Sequence, residues 1–212
     1  MQFALPILAA AFFSSAFASF GPEEGPVANK REPVVVPESE QSQNEITYKE
    51  CMLLGMKPEF RRYVTNVEAF KLINARGLKN IIETGTSRYM NNFLGDGLFT
   101  VVFGCYAHGT GAKLTSVDIN PRNCEVSRNQ IRPFSSNVTV VCSDSIPFLE
   151  NYSGGLIDFL YLDSFDYNFR NPGPSQNHHL KEIQAAYNKL HSQSVVMVDD
   201  CDLPGGGNFE MI

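Results

Sequence analysis

Between residues 59 and 198 the chain changes its hydrophobic period repeatedly, and that alternation limits what it can fold into more than any other feature. Short apolar runs read as strands at 78–83, 113–118, 137–142, 156–162 and 194–198. Stretches with helical spacing precede or separate them, at 59–75, 97–108, 121–131, 145–152 and 175–191. In the first of these, Phe60, Val64, Val67, Phe70, Leu72 and Ile73 recur on one face and Gly77 is placed to end the helix. Pro121 suits the first turn of the third. Strands alternating with helices imply βαβ units, hence a mostly parallel α/β sheet with helices on both faces. The continuous apolar character of 156–162, LIDFLYL, fits a strand covered on both sides. In such sheets a ligand binds beyond the carboxyl ends of the strands, where the strand order reverses.

Every strand-like run ends in an acid. The ends are Glu83-Thr84-Gly85, Asp118, Ser143-Asp144, Asp163 and Asp199-Asp200. Any one of these acids reads equally well as a helix cap or the start of a turn. Five in succession lie along one edge of a parallel sheet and converge on one crevice. Gly85 allows a sharp turn and a close approach of the backbone to a ligand, and Thr84, Thr86 and Ser87 place hydroxyls and amides beside it. A carboxylate here repels phosphate and suits a ligand with a cationic or hydroxyl-bearing end. ETGTSR also lacks the GxGxxG spacing of a dinucleotide site, which counts against a nicotinamide-linked oxidoreductase.

The rest of the 212 residues sets boundaries. A net charge of −6, from 17 basic and 23 acidic residues, argues against nucleic acid as the main partner. Residues 1–18 form an apolar run ending in Ala16-Phe17-Ala18 and read as a signal peptide, although no Lys or Arg precedes the run. Its interruptions leave it short of a stable membrane span, which takes ~20 apolar residues. Residues 19–45 are rich in Pro, Glu, Ser and Gln and read as a disordered linker, leaving 46–212 as the folded domain. The leader implies the secretory pathway or secretion; without its use the protein is cytoplasmic. Asn137-Val138-Thr139 and Asn151-Tyr152-Ser153 are glycosylation triplets on that route. The five cysteines show no metal-binding spacing and read as structural thiols, with room for a disulfide.

ETGTS, taken with SVDIN, CSDS, YLDSFDYN and VDDCDLPGG, resembles the class I S-adenosylmethionine-dependent methyltransferases. The likeness spans about Asn66 to Gly207 and is closest to small O-methyltransferases grouped with cephalosporin hydroxylase and rhamnosyl O-methyltransferase. The resemblance implies a Rossmann-like sheet that binds S-adenosylmethionine. Glu83, Thr84, Gly85, Thr86 and Ser87 would meet the methionine end, Asp118 the ribose hydroxyls, and Ser143 and Asp144 the adenine, with Asp163 bordering the same pocket. Catechol-type relatives hold Mg²⁺ on acids at the ends of the fourth and fifth strands, which here are Asp163, Asp199 and Asp200. Such an ion would polarise an acceptor hydroxyl. Where those relatives carry a lysine base, this chain has Asp166, so the base is sought among Asp166, His178 and His179. Phe165 and Tyr167 would shape an acceptor pocket. The implied reaction is O-methylation of a small hydroxylated molecule or sugar.

The sequence stops at Ile212, where the family's sheet continues with a helix and two strands. The expectation is therefore a sheet lacking its last strands, with an edge open to self-association. The alternative reading is a secreted, non-catalytic binding protein with a degenerate methyltransferase fold. Because S-adenosylmethionine is chiefly intracellular, an active secretory form would reside in the endoplasmic reticulum or Golgi.

Overall fold

The computed structural model describes residues 15–19, 31–58, 61–92, 98–203 and 207–209. Five parallel strands run in the order β4 (Val138–Cys142), β3 (Lys113–Asp118), β2 (Asn80–Thr84), β5 (Ile157–Leu162) and β6 (Leu190–Asp199). The chain moves outward from β2 in one direction and returns to β5 on the other side, so the strand order reverses between β2 and β5. This is the Rossmann-like α/β class, and the reversal fixes where a ligand can enter. A sixth strand, β1 (Ser15–Ser19), lies antiparallel on β6 and pairs Ser15 with Asp199 and Ser19 with Val195. The β6 edge expected to be open is thus paired along this stretch. β1 overlaps the segment read as a leader.

Alternation along the strands splits the core in two. Ile81, Phe159, Tyr161, Val195 and Met197 face one layer, built on α1 (Glu38–Met52), α2 (Arg61–Ala75), α3 (Phe99–Thr110) and α4 (Pro121–Gln130). Ile82, Leu160, Leu162, Val196 and Val198 face the other, where α5 (Ser145–Asn151) and α6 (Gly173–Ala186) pack. The first layer is aromatic: Tyr48 stacks on Phe70 at 4.1 Å, Phe99 on Phe103 at 3.8 Å and Phe99 on Tyr161 at 4.4 Å between ring centroids. Each such ring contributes roughly 1.5–3 kcal/mol by leaving water.

Local signals explain most element boundaries. Asn120 caps α4 by accepting from the Arg122 amide at 3.0 Å, with Pro121 at the first helical position. Gly111 ends α3 with φ +71°. α1 begins inside the stretch whose composition reads as a linker. Its outer face is polar, yet Tyr48, Cys51 and Met52 reach the core. Asn44 donates to the Asn74 side chain at 3.1 Å, and Asn74 donates to the Gln41 carbonyl at 3.1 Å. Cys51–Cys105 ties α1 to α3, and Cys124–Cys142 ties α4 to the end of β4. Among the described residues no helix is long and apolar enough to cross a membrane.

Candidate active site

The carboxyl ends of β2, β3 and β5 enclose a cavity of about 230 Å³ lined by Glu83, Gly85, Thr86, Ser87, Phe99, Asp118 and Asp163, among others. A larger, open depression of about 440 Å³ lies beside α5, lined by residues such as Pro147, Phe148 and Tyr152. That depression holds none of the strand-end acids, so the smaller cavity is the chemical candidate.

Its floor is the β2 turn. The Gly85 amide donates to the Val117 carbonyl at 2.7 Å, and the Asp163 amide donates to the Thr84 carbonyl at 2.8 Å, so the turn is bonded to both flanking strands. Gly85 has φ +83°, and a β-carbon there would lie 2.0 Å from the Asp163 carbonyl oxygen. Glycine is required on both counts.

Glu83 is 2 % exposed and accepts from the Thr100 hydroxyl at 2.7 Å. Burial pushes its carboxyl up to about 8; the Ser116 and Thr100 hydroxyls oppose the shift and Asp118 adds to it. Glu83 is therefore largely uncharged at neutral pH until a cation arrives. Asp118 accepts from the Thr86 amide at 3.2 Å, the Asn120 amide at 2.7 Å and the Asn123 side chain at 3.1 Å. Those contacts order the loop that follows β3 and aim Asp118 into the cavity. The Ser87 hydroxyl is buried without a hydrogen-bond partner among the described residues, as is that of Thr84. Ser87 lines the cavity. A buried hydroxyl without a partner is costly and marks a position a ligand can satisfy.

Ser143 and Asp144 stand apart from this cavity. Asp144 caps α5 by accepting from the Ile146 amide at 3.0 Å, and Ser143 borders the depression beside α5. The strand-end rule brings them to the correct edge, but the cavity closes at β3.

The expected proton acceptors separate in space. Asp166 lies at the cavity mouth, where both its oxygens accept from Arg88 at 2.8 Å. His179 is fully buried, with Nδ1 2.8 Å from Glu182. His178 is half-buried, 3.3 Å from the Ser145 hydroxyl and 3.5 Å from Glu182. The Glu182 hydrogen bond raises the His178 pKa, against the effect of burial. Burial works to raise Glu182, but His178 and His179 hold it down at about 2. Glu182 also accepts from Ser164 at 2.7 Å, and Ser164 lines the cavity, so the histidines reach the site only through other groups. Phe165 is exposed and its ring lies 5.4 Å from that of His178.

Asp163 is the remaining acid of the lining. Burial raises its pKa well above the usual carboxylate range, Asp199 adds to the shift, and Arg62 opposes it. Arg62, from the first turn of α2, places Nη2 2.6 Å from Asp199 and 3.9 Å from Asp200. The residues that would hold Mg²⁺ therefore do not fit the ion: two of the three acids already face a guanidinium. Among the described residues no three His, Cys, Asp or Glu side chains gather as a metal-binding group.

No family model and no curated protein matches the sequence. Solved structures with similar folds include an O-methyltransferase from Bacillus cereus in complex with SAH, at 17 % identity and TM-score 0.41 over 72 % of this chain and 64 % of that one. The SAH-bound methyltransferase PaMTH1 of Podospora anserina matches at 14 % and 0.44, over 81 % and 64 %. A SAM-dependent methyltransferase from Thiobacillus denitrificans with S-adenosyl-L-homocysteine matches at 10 % and 0.41, over 78 % and 56 %. This chain spans less than two thirds of the length of each. At these scores the likeness carries neither an activity nor a substrate; the fold class rests on the strand order, and the chemistry on the cavity.

Proposed function

We propose that the protein binds S-adenosylmethionine in the cavity at the ends of β2, β3 and β5 and methylates a hydroxyl of a small acceptor, such as a sugar. One observation carries this reading: Glu83 and Asp118, both buried, face a single cavity at the strand-order reversal, separated by a glycine turn. Glu83 meets the ammonium of the methionine end, which draws off its proton. Asp118, already held by three donors, has one acceptor site left on Oδ1 for a ribose hydroxyl. Ser87 supplies the hydroxyl that lacks a partner. The bound cofactor supplies an electrophilic methyl group on a positively charged sulfur. Asp163 borders the same space, and a nearby positive charge favours its ionised form, so it is the residue placed to accept a proton from the acceptor hydroxyl. Asp166, through its ion pair with Arg88, holds the loops after β2 and β5 together at the mouth.

No step in this reading runs through Mg²⁺. Two cysteine pairs favour an oxidising compartment, and we place the protein in the secretory pathway on that ground. The test is calorimetric titration of the full chain with S-adenosylmethionine, followed by transfer of a labelled methyl group to hydroxylated acceptors. Binding with transfer supports the reading and eliminates a non-catalytic binding protein; binding without transfer to any acceptor supports that alternative; no binding by a folded sample rejects the methyltransferase reading.

A further inference from the structure

Arg62 is an unusual residue for its position. It is the second residue of α2, where the positive end of the helix dipole disfavours a cation. Helix formation gives no reason for it, so the reason lies in what it reaches. Its side chain is 23 % exposed and that of Asp199 is 1 % exposed, and they meet at 2.6 Å. Asp200, 3.9 Å away, is held with φ +58° in a turn whose next elements are tied down. The Asn208 amide donates to the Asp200 carbonyl at 3.3 Å, the Asn208 side chain to the Asp199 carbonyl at 3.1 Å, and Gln176 to the Gly207 carbonyl at 2.7 Å. Both acids are thus fixed around the guanidinium. Removing one partner from such a buried pair is strongly destabilising, so the charge of Arg62 belongs to this rim.

We infer that Arg62 is the resident cation of the strand-end acids, occupying with a fixed guanidinium the place where the resemblance implies a divalent ion. A planar, permanently charged group with several donors can neutralise two carboxylates in fixed geometry. Asp163 remains the one acid of the three that lines the cavity. Resting on the reading above, methyl transfer by this chain then needs no divalent ion, and metal affinity is latent, released only when Arg62 is lost.

The test uses Mn²⁺ as the probe, with its paramagnetic resonance signal reporting the free ion in the presence of the full chain. The parent protein is expected to leave the signal unchanged up to roughly millimolar Mn²⁺, the range of weak carboxylate sites. Arg62→Met, near in length and uncharged, is expected to bind Mn²⁺ at least about tenfold more tightly, and Asp199→Asn in that background to remove the gain. Mn²⁺ binding by the parent that Asp199→Asn abolishes overturns the inference, whether or not Arg62→Met folds. So does a folded Arg62→Met protein that gains no affinity. Because this readout needs no S-adenosylmethionine, it and the proposed function fail separately.

Discussion

Gly85 presses against Asp163: a β-carbon on the glycine would sit 2.0 Å from the aspartate's carbonyl oxygen, in a backbone conformation with φ +83°. The contact joins the ends of β2 and β5 at the strand-order reversal, so one residue sets both the turn and the cavity floor. Gly85→Ala should cost at least about 2 kcal/mol from the strained φ alone. It should also displace Asp163 and weaken cofactor binding. Urea unfolding checks this: an unchanged midpoint would mean that the close approach does not exist.

The buried Glu83 predicts a pH dependence with a definite sign. Its carboxyl has an ordinary value of 4.5 and is pushed up to about 8 in the folded chain, first by burial. Between those values the folded state holds a proton that the unfolded state has lost. Its contribution therefore makes stability fall as pH rises through that window. Glu83→Gln should flatten the slope and raise stability at pH 8 by an amount on the order of a few kcal/mol. In the parent protein, binding of a cationic cofactor near pH 7 should release about one proton more than in Glu83→Gln. Titration in buffers of different ionisation enthalpy reads that difference directly, and no difference would remove Glu83 from the ammonium's neighbourhood.

The cysteine pairs predict a thiol count. Cys51–Cys105 and Cys124–Cys142 leave Cys201 outside both bridges. The unreduced, denatured chain should then carry one reactive thiol. Replacing Cys51 and Cys105 by serine should cost about 2–4 kcal/mol, because the bridge closes a long loop in the unfolded chain. Five reactive thiols in protein purified from an oxidising compartment would contradict the pairing.

The β6 edge gives a prediction about the amino terminus. Cleavage after Ala18 would cut within β1 and remove most of the strand that pairs with Val195 to Asp199. A chain beginning at Ser19 should self-associate more than the full chain, since an unpaired strand edge is a template for another. Light scattering on both forms, at matched concentration, checks this. Equal masses would mean that β1 does not protect the edge.

Much of this was legible in the sequence because strand-end acids and hydrophobic period are local signals. The five central strands lie within two or three residues of their expected positions at most ends, apart from an early start of β6 at Leu190. Glu83, Gly85, Thr86, Ser87, Asp118 and Asp163 come together as the shared edge implied. What was not legible depends on distance along the chain. Arg62 meets a partner 137 residues away, and its one local signal is a basic first turn in α2, where acids are favoured. Asp144 obeys the strand-end rule yet serves as a helix cap, because both roles call for the same residue type. α1 was hidden by its polar outer face, since only a few of its side chains reach the core. The pairing of five cysteines has no local signature at all.

The most direct test of the central claim is calorimetric titration of S-adenosylhomocysteine into the parent chain and into Asp118→Asn. The account predicts micromolar binding by the parent, weakened at least about tenfold in the variant, as expected for loss of a charge-assisted hydrogen bond. Binding of equal strength in both proteins, or no binding by a folded parent, would contradict it.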